Sequence, residues 1–160
     1  MDTETKKKVL RQISYGLYVM TATAGEEMAA ATVTWLSQAS FDPPLVMVAV
    51  RNGSHLHALV DRARAFAINI VGQGQADMAA AFFRPSRVEN SRISGYAFDR
   101  GPETGAPLLV DLPAWFEARV TDMVARGDHT VYVAEVVEVG LRNPAAKPLE
   151  LSNTDWSYGG

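Results

Sequence analysis

Hydrophobic and polar residues alternate with a period of two along four segments of the chain, and this pattern predicts strands. The alternating segments are residues 17–23, 28–34, 114–124 and 129–139. Turn-forming residues join the members of each pair, at 24–27 and at 125–128. The pattern therefore predicts two antiparallel hairpins.

Two apolar segments between the hairpins predict further strands. Residues 45–50 are rich in Val and follow Pro43 and Pro44, which is typical of a strand buried on both faces. Residues 65–71 have a similar composition. Residues 85–113 are rich in Gly and Pro without a clear period, and they predict a long loop.

Helical spacing occurs at residues 4–13 and 75–83 and after Ser54. Ser54 is a predicted N-cap, and the helix behind it places Leu56, Leu59 and Val60 toward the core. About six strands with two or three short helices predict a mainly β fold, an antiparallel barrel or sandwich. The chain has 160 residues, 48% of them hydrophobic, and no repeat or linker, so we expect one domain over residues 1–160.

Composition argues against several function classes. The chain has no Cys, which excludes disulfides, thiolate nucleophiles and iron–sulfur clusters. Its net charge of −3 argues against a nucleic-acid partner, and no apolar run approaches the roughly 20 residues of a membrane span. We expect a cytoplasmic protein without a membrane partner. We expect no metal, because His55 and His57 lie two positions apart on a predicted helix and point in different directions.

The most informative block is residues 32–44, followed after one strand by residues 51–55. Hydroxyl residues end the strand at 28–34, and Arg51 precedes Ser54 at a predicted helix start. Because the N–H groups at a helix N-terminus favour anions, this pattern suggests a phosphate site. The competing interpretation is that the hydroxyl residues merely belong to a strand and turns and that Ser54 is only a cap. The segment Gly72-Gln73-Gly74 lacks the third glycine of a dinucleotide fingerprint.

At these residues the chain resembles the flavin reductase-like family, the FMN-binding split barrels. Matching motifs occur in order at 15–21, at 32–44 with its Ser-Phe-Asp-Pro-Pro ending, at 45–55, at 66–70, at the Gly-Asp-His of 127–129, and in the tail 156–160. The resemblance implies a six-stranded antiparallel split barrel of Greek-key type with two or three short flanking helices. It also implies a homodimer with flavin near the subunit interface. The apolar strand at 45–50 and the aromatic Trp115 and Phe116 independently favour a dimer, because they suggest more apolar surface than one small barrel buries.

The resemblance also implies the reaction. FMN, or FAD, is the expected cofactor, and NADH or NADPH is the expected co-substrate that passes a hydride to it. The reduced flavin would go to a partner oxygenase or another acceptor. The segment from Arg84 to Pro113 is a candidate lid over the nicotinamide site.

Twelve residues carry the implied site. Those expected at the isoalloxazine ring are Thr32, Val33, Thr34 and Trp35, and Trp35 is larger than the residue expected there. Those expected at the ribityl chain or phosphate are Ser37, Gln38 and Ser40, with Arg51, Asn52, Ser54 and His55 completing the phosphate cradle. His129 is the candidate catalytic residue near the nicotinamide, and its competing role is that of a hairpin residue bonded to backbone. Phe82 and Phe83 either wall the flavin or belong to the core.

Two alternatives share this scaffold. One is a flavin-binding electron-transfer module without significant NAD(P)H activity. The other is a barrel that holds a different phosphorylated ligand, as in the related pyridoxamine phosphate oxidase barrels.

Overall fold

A computed structural model describes all 160 residues. The helices are α1 (Thr3–Leu10), α2 (His55–Ala63) and α3 (Ala76–Ala81), with a 3-10 turn at Leu151–Asn153. The strands are β1 (Tyr18–Ala24), β2 (Glu27–Val33), β3 (Leu36–Ser40), β4 (Leu45–Arg51), β5 (Ala65–Ile70), β6 (Val88–Glu89), β7 (Arg92–Ile93), β8 (Tyr96–Arg100), β9 (Pro107–Leu109), β10 (Ala114–Ala125) and β11 (His129–Leu141). No helix is long and apolar enough to cross a membrane.

The main sheet is antiparallel and has the order β2-β1-β5-β10-β11-β4-β3. Its two edge strands, β2 and β3, are consecutive in sequence and are separated only by Thr34 and Trp35. The sheet is therefore curved so that its two edge strands lie next to each other. The mainly β, antiparallel prediction is confirmed, but the sheet has seven strands instead of six. The extra strand is β3, which falls outside the strands predicted from the sequence and pairs with β4 immediately after the break at Trp35.

One apolar cluster fills the rolled sheet, and a second one lies outside it. The inner cluster includes Phe66, Ile68 and Tyr132, and α2 contributes Leu56, Leu59 and Val60, as the sequence predicted. The outer cluster includes Val19, Phe82 and Leu109 and packs α3 and the smaller sheet against the barrel. In the inner cluster the strand residues lie at alternate positions along their strands, and the α2 residues lie on one face of the helix.

The prediction that residues 45–50 are buried on both faces is wrong. Val46, Val48 and Val50 are buried in the inner cluster, whereas Met47 is 44% exposed. The outward side chains of β4 are also apolar, so the sequence of this strand does not show the alternation of buried and exposed positions.

The predicted long loop at 85–113 contains a second sheet with the order β6-β7-β8-β9. Its strands are two to five residues long, which is too short for a period of two to stand out in the sequence. Asn69 of β5 fastens this sheet to the barrel: its side-chain amide donates to the Val19 carbonyl at 3.1 Å, and its Oδ1 accepts from the Leu109 amide at 2.7 Å.

A buried carboxylate fixes the turn before β9. Glu117 is fully buried in β10 and accepts hydrogen bonds from the Thr104 amide at 2.8 Å, the Thr104 hydroxyl at 2.6 Å and the Glu103 amide at 3.2 Å. Only glycine fits at position 101, because a Cβ there would lie 2.0 Å from Oε1 of Glu117.

We expect Glu117→Gln to lower the free energy of unfolding by about 1–3 kcal/mol. The amide NH₂ would face backbone donors that lose their acceptor, and such buried unpaired groups are costly. Urea denaturation of this variant beside Glu135→Gln, an exposed carboxylate of β11, measures the effect. Equal midpoints for the two variants would contradict the role of Glu117.

Candidate functional site

A cavity of about 660 Å³ opens at the junction of the two edge strands. Its walls come from β2, the residues Thr34 and Trp35, the end of β4 with the start of α2, the segment 82–86 after α3, and the C-terminal tail. Fourteen of its 24 lining residues are hydrophobic. A concave, mostly apolar cavity of this size with a few polar groups is typical of a small-molecule or cofactor site.

The cavity is locally basic although the chain as a whole is acidic. None of its lining residues is Asp or Glu, whereas Arg51, Arg84 and His55 are among them. Arg51 and Arg84 take part in none of the ion pairs of the protein. His55 is paired with Glu27 at 3.2 Å. Two guanidinium groups without an ion-pair partner at an apolar cavity favour an anionic ligand with a hydrophobic body.

The start of α2 adds backbone donors to this wall. Ser54 caps the helix: its hydroxyl accepts from the His57 amide at 3.1 Å and donates to the Arg51 carbonyl at 2.9 Å. The amide groups of His55 and Leu56 have no acceptor in the chain, and both residues line the cavity. Ser54 therefore orders Arg51 and the first helical turn at the wall of the cavity.

Two polar atoms at the junction of β2 and β3 lack hydrogen-bond partners. These are the hydroxyl of Thr34, a residue only 6% exposed, and the indole N–H of Trp35. Both residues line the cavity. The neighbouring Thr32 hydroxyl, by contrast, donates to the Ala79 carbonyl at 2.7 Å. Buried groups of this kind are rare in folded proteins, and a ligand with carbonyl or ring-nitrogen acceptors would satisfy them.

His129 stands beside the cavity without lining it. Its Nδ1 lies 2.7 Å from Oδ1 of Asp128 and its Nε2 lies 2.7 Å from the hydroxyl of Tyr158. Its ring packs on that of Trp35, with centroids 4.6 Å apart. The partners of its ring nitrogens are therefore side chains and not the backbone groups of the competing interpretation.

The structure brings together seven of the twelve predicted site residues. The seven that line the cavity are Thr32, Val33, Thr34, Trp35, Arg51, Ser54 and His55. The five outside its wall are Ser37, Gln38, Ser40, Asn52 and His129. The three residues of β3 lie beyond the break at Trp35, where they pair with β4.

Both polar side-chain atoms of Asn52 have a hydrogen-bond partner within the protein. Its amide donates to the Gly127 carbonyl at 2.9 Å, and its Oδ1 accepts from the Thr130 hydroxyl at 2.7 Å. This side chain joins the turn after β4 to the hairpin of β10 and β11, and so it shapes the segment that carries Arg51.

Several lining residues were missed from sequence. Arg84 and Ser86 belong to a segment that was expected to form a lid, yet residues 88–109 form a packed sheet and only residues 84–86 of the expected lid line the cavity. Phe82 is buried and Phe83 half exposed, and both line the cavity. In the sequence, only the aromatic residues of the tail indicated that the tail belongs to the site.

Comparisons with known proteins agree with this geometry. The family model described as flavin reductase like domain matches residues 10–158. An NADPH-flavin oxidoreductase of Streptomyces viridifaciens is 35% identical over 135 residues, which cover 83% of this chain and 70% of that one. The reductase component of a 4-nitrophenol 4-monooxygenase/4-nitrocatechol 2-monooxygenase of Rhodococcus opacus is 30% identical over 146 residues, 90% of this chain and 76% of that one.

A solved structure gives the same result. The NADH:FAD oxidoreductase of Streptomyces globisporus superposes with a TM-score of 0.80 at 26% identity, covering 94% of this chain and 90% of that one. The chain belongs to the flavin reductase like family. The prediction of a flavin reductase enzyme is thereby confirmed.

The cavity fits a flavin nucleotide. Its walls are apolar where a ring system would lie, two polar atoms there lack partners, and guanidinium and backbone donors suit a phosphate.

We expect Thr34→Val to separate stability from binding. The substitution removes a buried hydroxyl that has no partner, so the stability of the flavin-free protein should stay equal or rise. Flavin affinity should fall about 2- to 10-fold, which corresponds to the loss of one hydrogen bond. Thermal melting of the flavin-free protein and fluorescence titration with flavin measure the two effects. A destabilised variant with full affinity would contradict this role of Thr34.

Proposed function

We propose that this protein is an NAD(P)H:flavin oxidoreductase that holds FMN in the cavity between the edge strands. The observation that carries the proposal is an apolar cavity without a carboxylate, lined by two unpaired guanidinium groups and by the unsatisfied hydroxyl of Thr34. FAD is the alternative flavin, since the same groups suit a diphosphate.

The chain's own residues bind and orient the cofactor in this proposal. Val33 and Trp35 supply the apolar wall for the ring system, and the Thr34 hydroxyl bonds to one of its polar atoms. Arg51 and the free amides at the start of α2 hold the phosphate. When bound, the flavin supplies the hydride chemistry and accepts two electrons from the nicotinamide.

Electrostatics and water exclusion complete this role. Arg51 and Arg84 stabilise negative charge on the bound nucleotide, and the apolar walls keep water from the reacting rings. The geometry requires no general base, because hydride transfer needs aligned rings and not proton abstraction. His129 borders the nicotinamide position in this arrangement.

The reduced flavin would pass to a partner oxygenase. The Rhodococcus opacus relative is the reductase component of a monooxygenase, which supports this assignment. We also propose a homodimer, because outward apolar side chains of β4 and β11, including Met47, Val139 and Leu141, are exposed in the single chain.

Two measurements on the purified protein test this function. Heat release followed by chromatography should yield FMN, and release of FAD would overturn the choice of flavin. Under anaerobic conditions the flavin absorbance should bleach on addition of NADH or NADPH. An unchanged spectrum with both nucleotides would favour a flavin-binding electron-transfer module, and a non-flavin chromophore would favour the pyridoxamine phosphate oxidase-like alternative.

Arg51→Ala should weaken FMN binding by about 1.5–3 kcal/mol, because a charge-assisted contact to the phosphate is lost. Riboflavin has the same rings without a phosphate, so its affinity should change little. Fluorescence titration of the variant with both ligands measures the difference, with Arg126→Ala in the exposed β10–β11 turn as a matched control. Equal losses for FMN and riboflavin would show that Arg51 does not hold the phosphate.

A further inference from the structure

The C-terminal tail, residues 154–160, is fastened at two points over the edge of the cavity. Near its start, the Trp156 ring packs edge-on against Phe83 with centroids 4.7 Å apart. At its end, the Gly159 carbonyl accepts a hydrogen bond from Nε of Arg11 at 3.1 Å. Tyr158 lies between these anchors, lines the cavity, and packs edge-on against Trp35 with centroids 5.1 Å apart. These contacts thus fix the position of the Tyr158 phenol.

The phenol of Tyr158 is one end of a hydrogen-bonded chain of three side chains. The hydrogen bond from His129 lowers the pKa of Asp128, so an ionised carboxylate accepts the proton of Nδ1. Burial raises the pKa of Tyr158, so its hydroxyl keeps its proton and donates to Nε2. These partners fix the neutral imidazole as the tautomer with its proton on Nδ1.

His129 is consequently held from three directions. Asp128 and Tyr158 bind its two nitrogens, and the indole of Trp35 covers its ring at 4.6 Å between centroids. Only 12% of the His129 side chain is exposed. A side chain restrained in this way keeps its orientation when a ligand arrives, which is the condition for aligning a substrate.

We propose that Tyr158 is a positioning residue for hydride transfer, which orients His129 beside the place where the nicotinamide is aligned. The proposal rests on the proposed function, in which His129 borders the nicotinamide position. Tyr158 acts through His129 and takes no part in the phosphate cradle formed by Arg51 and the start of α2. Its loss should therefore affect the reduction step and leave flavin affinity in place.

Tyr158→Phe tests this role, because it keeps the ring on Trp35 and removes only the hydroxyl. Anaerobic stopped-flow should show the limiting rate of flavin reduction falling about 2- to 10-fold, the factor that corresponds to one hydrogen bond. The flavin dissociation constant should stay within about twofold. Tyr158→Ala removes the ring as well and should reduce the rate further.

Tyr15→Phe is the matched control. The Tyr15 ring also faces Trp35, with centroids 6.4 Å apart, but its hydroxyl makes no hydrogen bond. This variant should reduce flavin at the wild-type rate.

An NMR measurement tests the same contact without activity. In a ¹⁵N–¹H correlation of the histidine rings, Tyr158→Phe should shift the Nε2 signal of His129 and leave those of His55 and His57 unchanged. The variant His129→Gln assigns the signal by its disappearance.

Distinct outcomes overturn the proposal. A wild-type limiting rate in Tyr158→Phe with flavin bound would show that the phenol does not position His129. A lower KM for NADH or NADPH at an unchanged limiting rate would mean that the phenol competes with the substrate. Failure of the wild-type protein to bind flavin or to be reduced would overturn the proposed function together with this role, so the two failures are distinguishable.

Discussion

The two edge strands of the main sheet are joined by only two residues, and this short connection governs both the barrel and its cavity. Thr34 and Trp35 leave no room for an excursion between β2 and β3, so the sheet has to curve until its edges meet. The Trp35 carbonyl secures this closure by accepting from the Ala49 amide at 2.9 Å. At the same break, the Thr34 hydroxyl and the Trp35 indole N–H have no hydrogen-bond partners. These two polar groups thus lie where the barrel closes.

The charge of the site is a local property that the net charge conceals. A net charge of −3 gives no reason to expect an anion site. Glu27, an acidic neighbour of the cavity residue His55, is paired with His55 at 3.2 Å and with Arg62 at 3.0 Å. Arg51 and Arg84 line the cavity and form no ion pair. Net charge describes solubility and long-range steering, whereas recognition depends on which charges are left unpaired at the cavity.

The sequence predicted those features that local rules determine. The hairpin of β10 and β11 alternates over more than ten residues, and Ser54 precedes an amphipathic helix, so both were found from spacing and capping chemistry. The sheet of β6 to β9 was missed because its strands are too short to carry a period. Arg84 and Tyr158 were not assigned to the cavity wall from sequence, because contacts between distant segments bring them there and the spacing of residues along the chain does not show which distant segments meet. Resemblance to a family pointed to Thr32–Trp35, which line the cavity, and to Ser37, Gln38 and Ser40, which lie outside its wall on β3 and whose roles toward a ligand stay predictions.

Folding and binding make opposite demands at the junction of the edge strands. A buried hydroxyl without a partner costs stability in the flavin-free protein, and a valine at position 34 would fold at least as well. Under the proposed function a ligand completes the hydrogen bond of this hydroxyl, and the binding energy then includes the relief of that cost. The same reasoning separates the two ends of the site. At the proposed phosphate end, Ser54 is already satisfied by His57 and orders Arg51 before a ligand arrives, so under the proposed function recognition there depends on preorganisation and on unpaired charge.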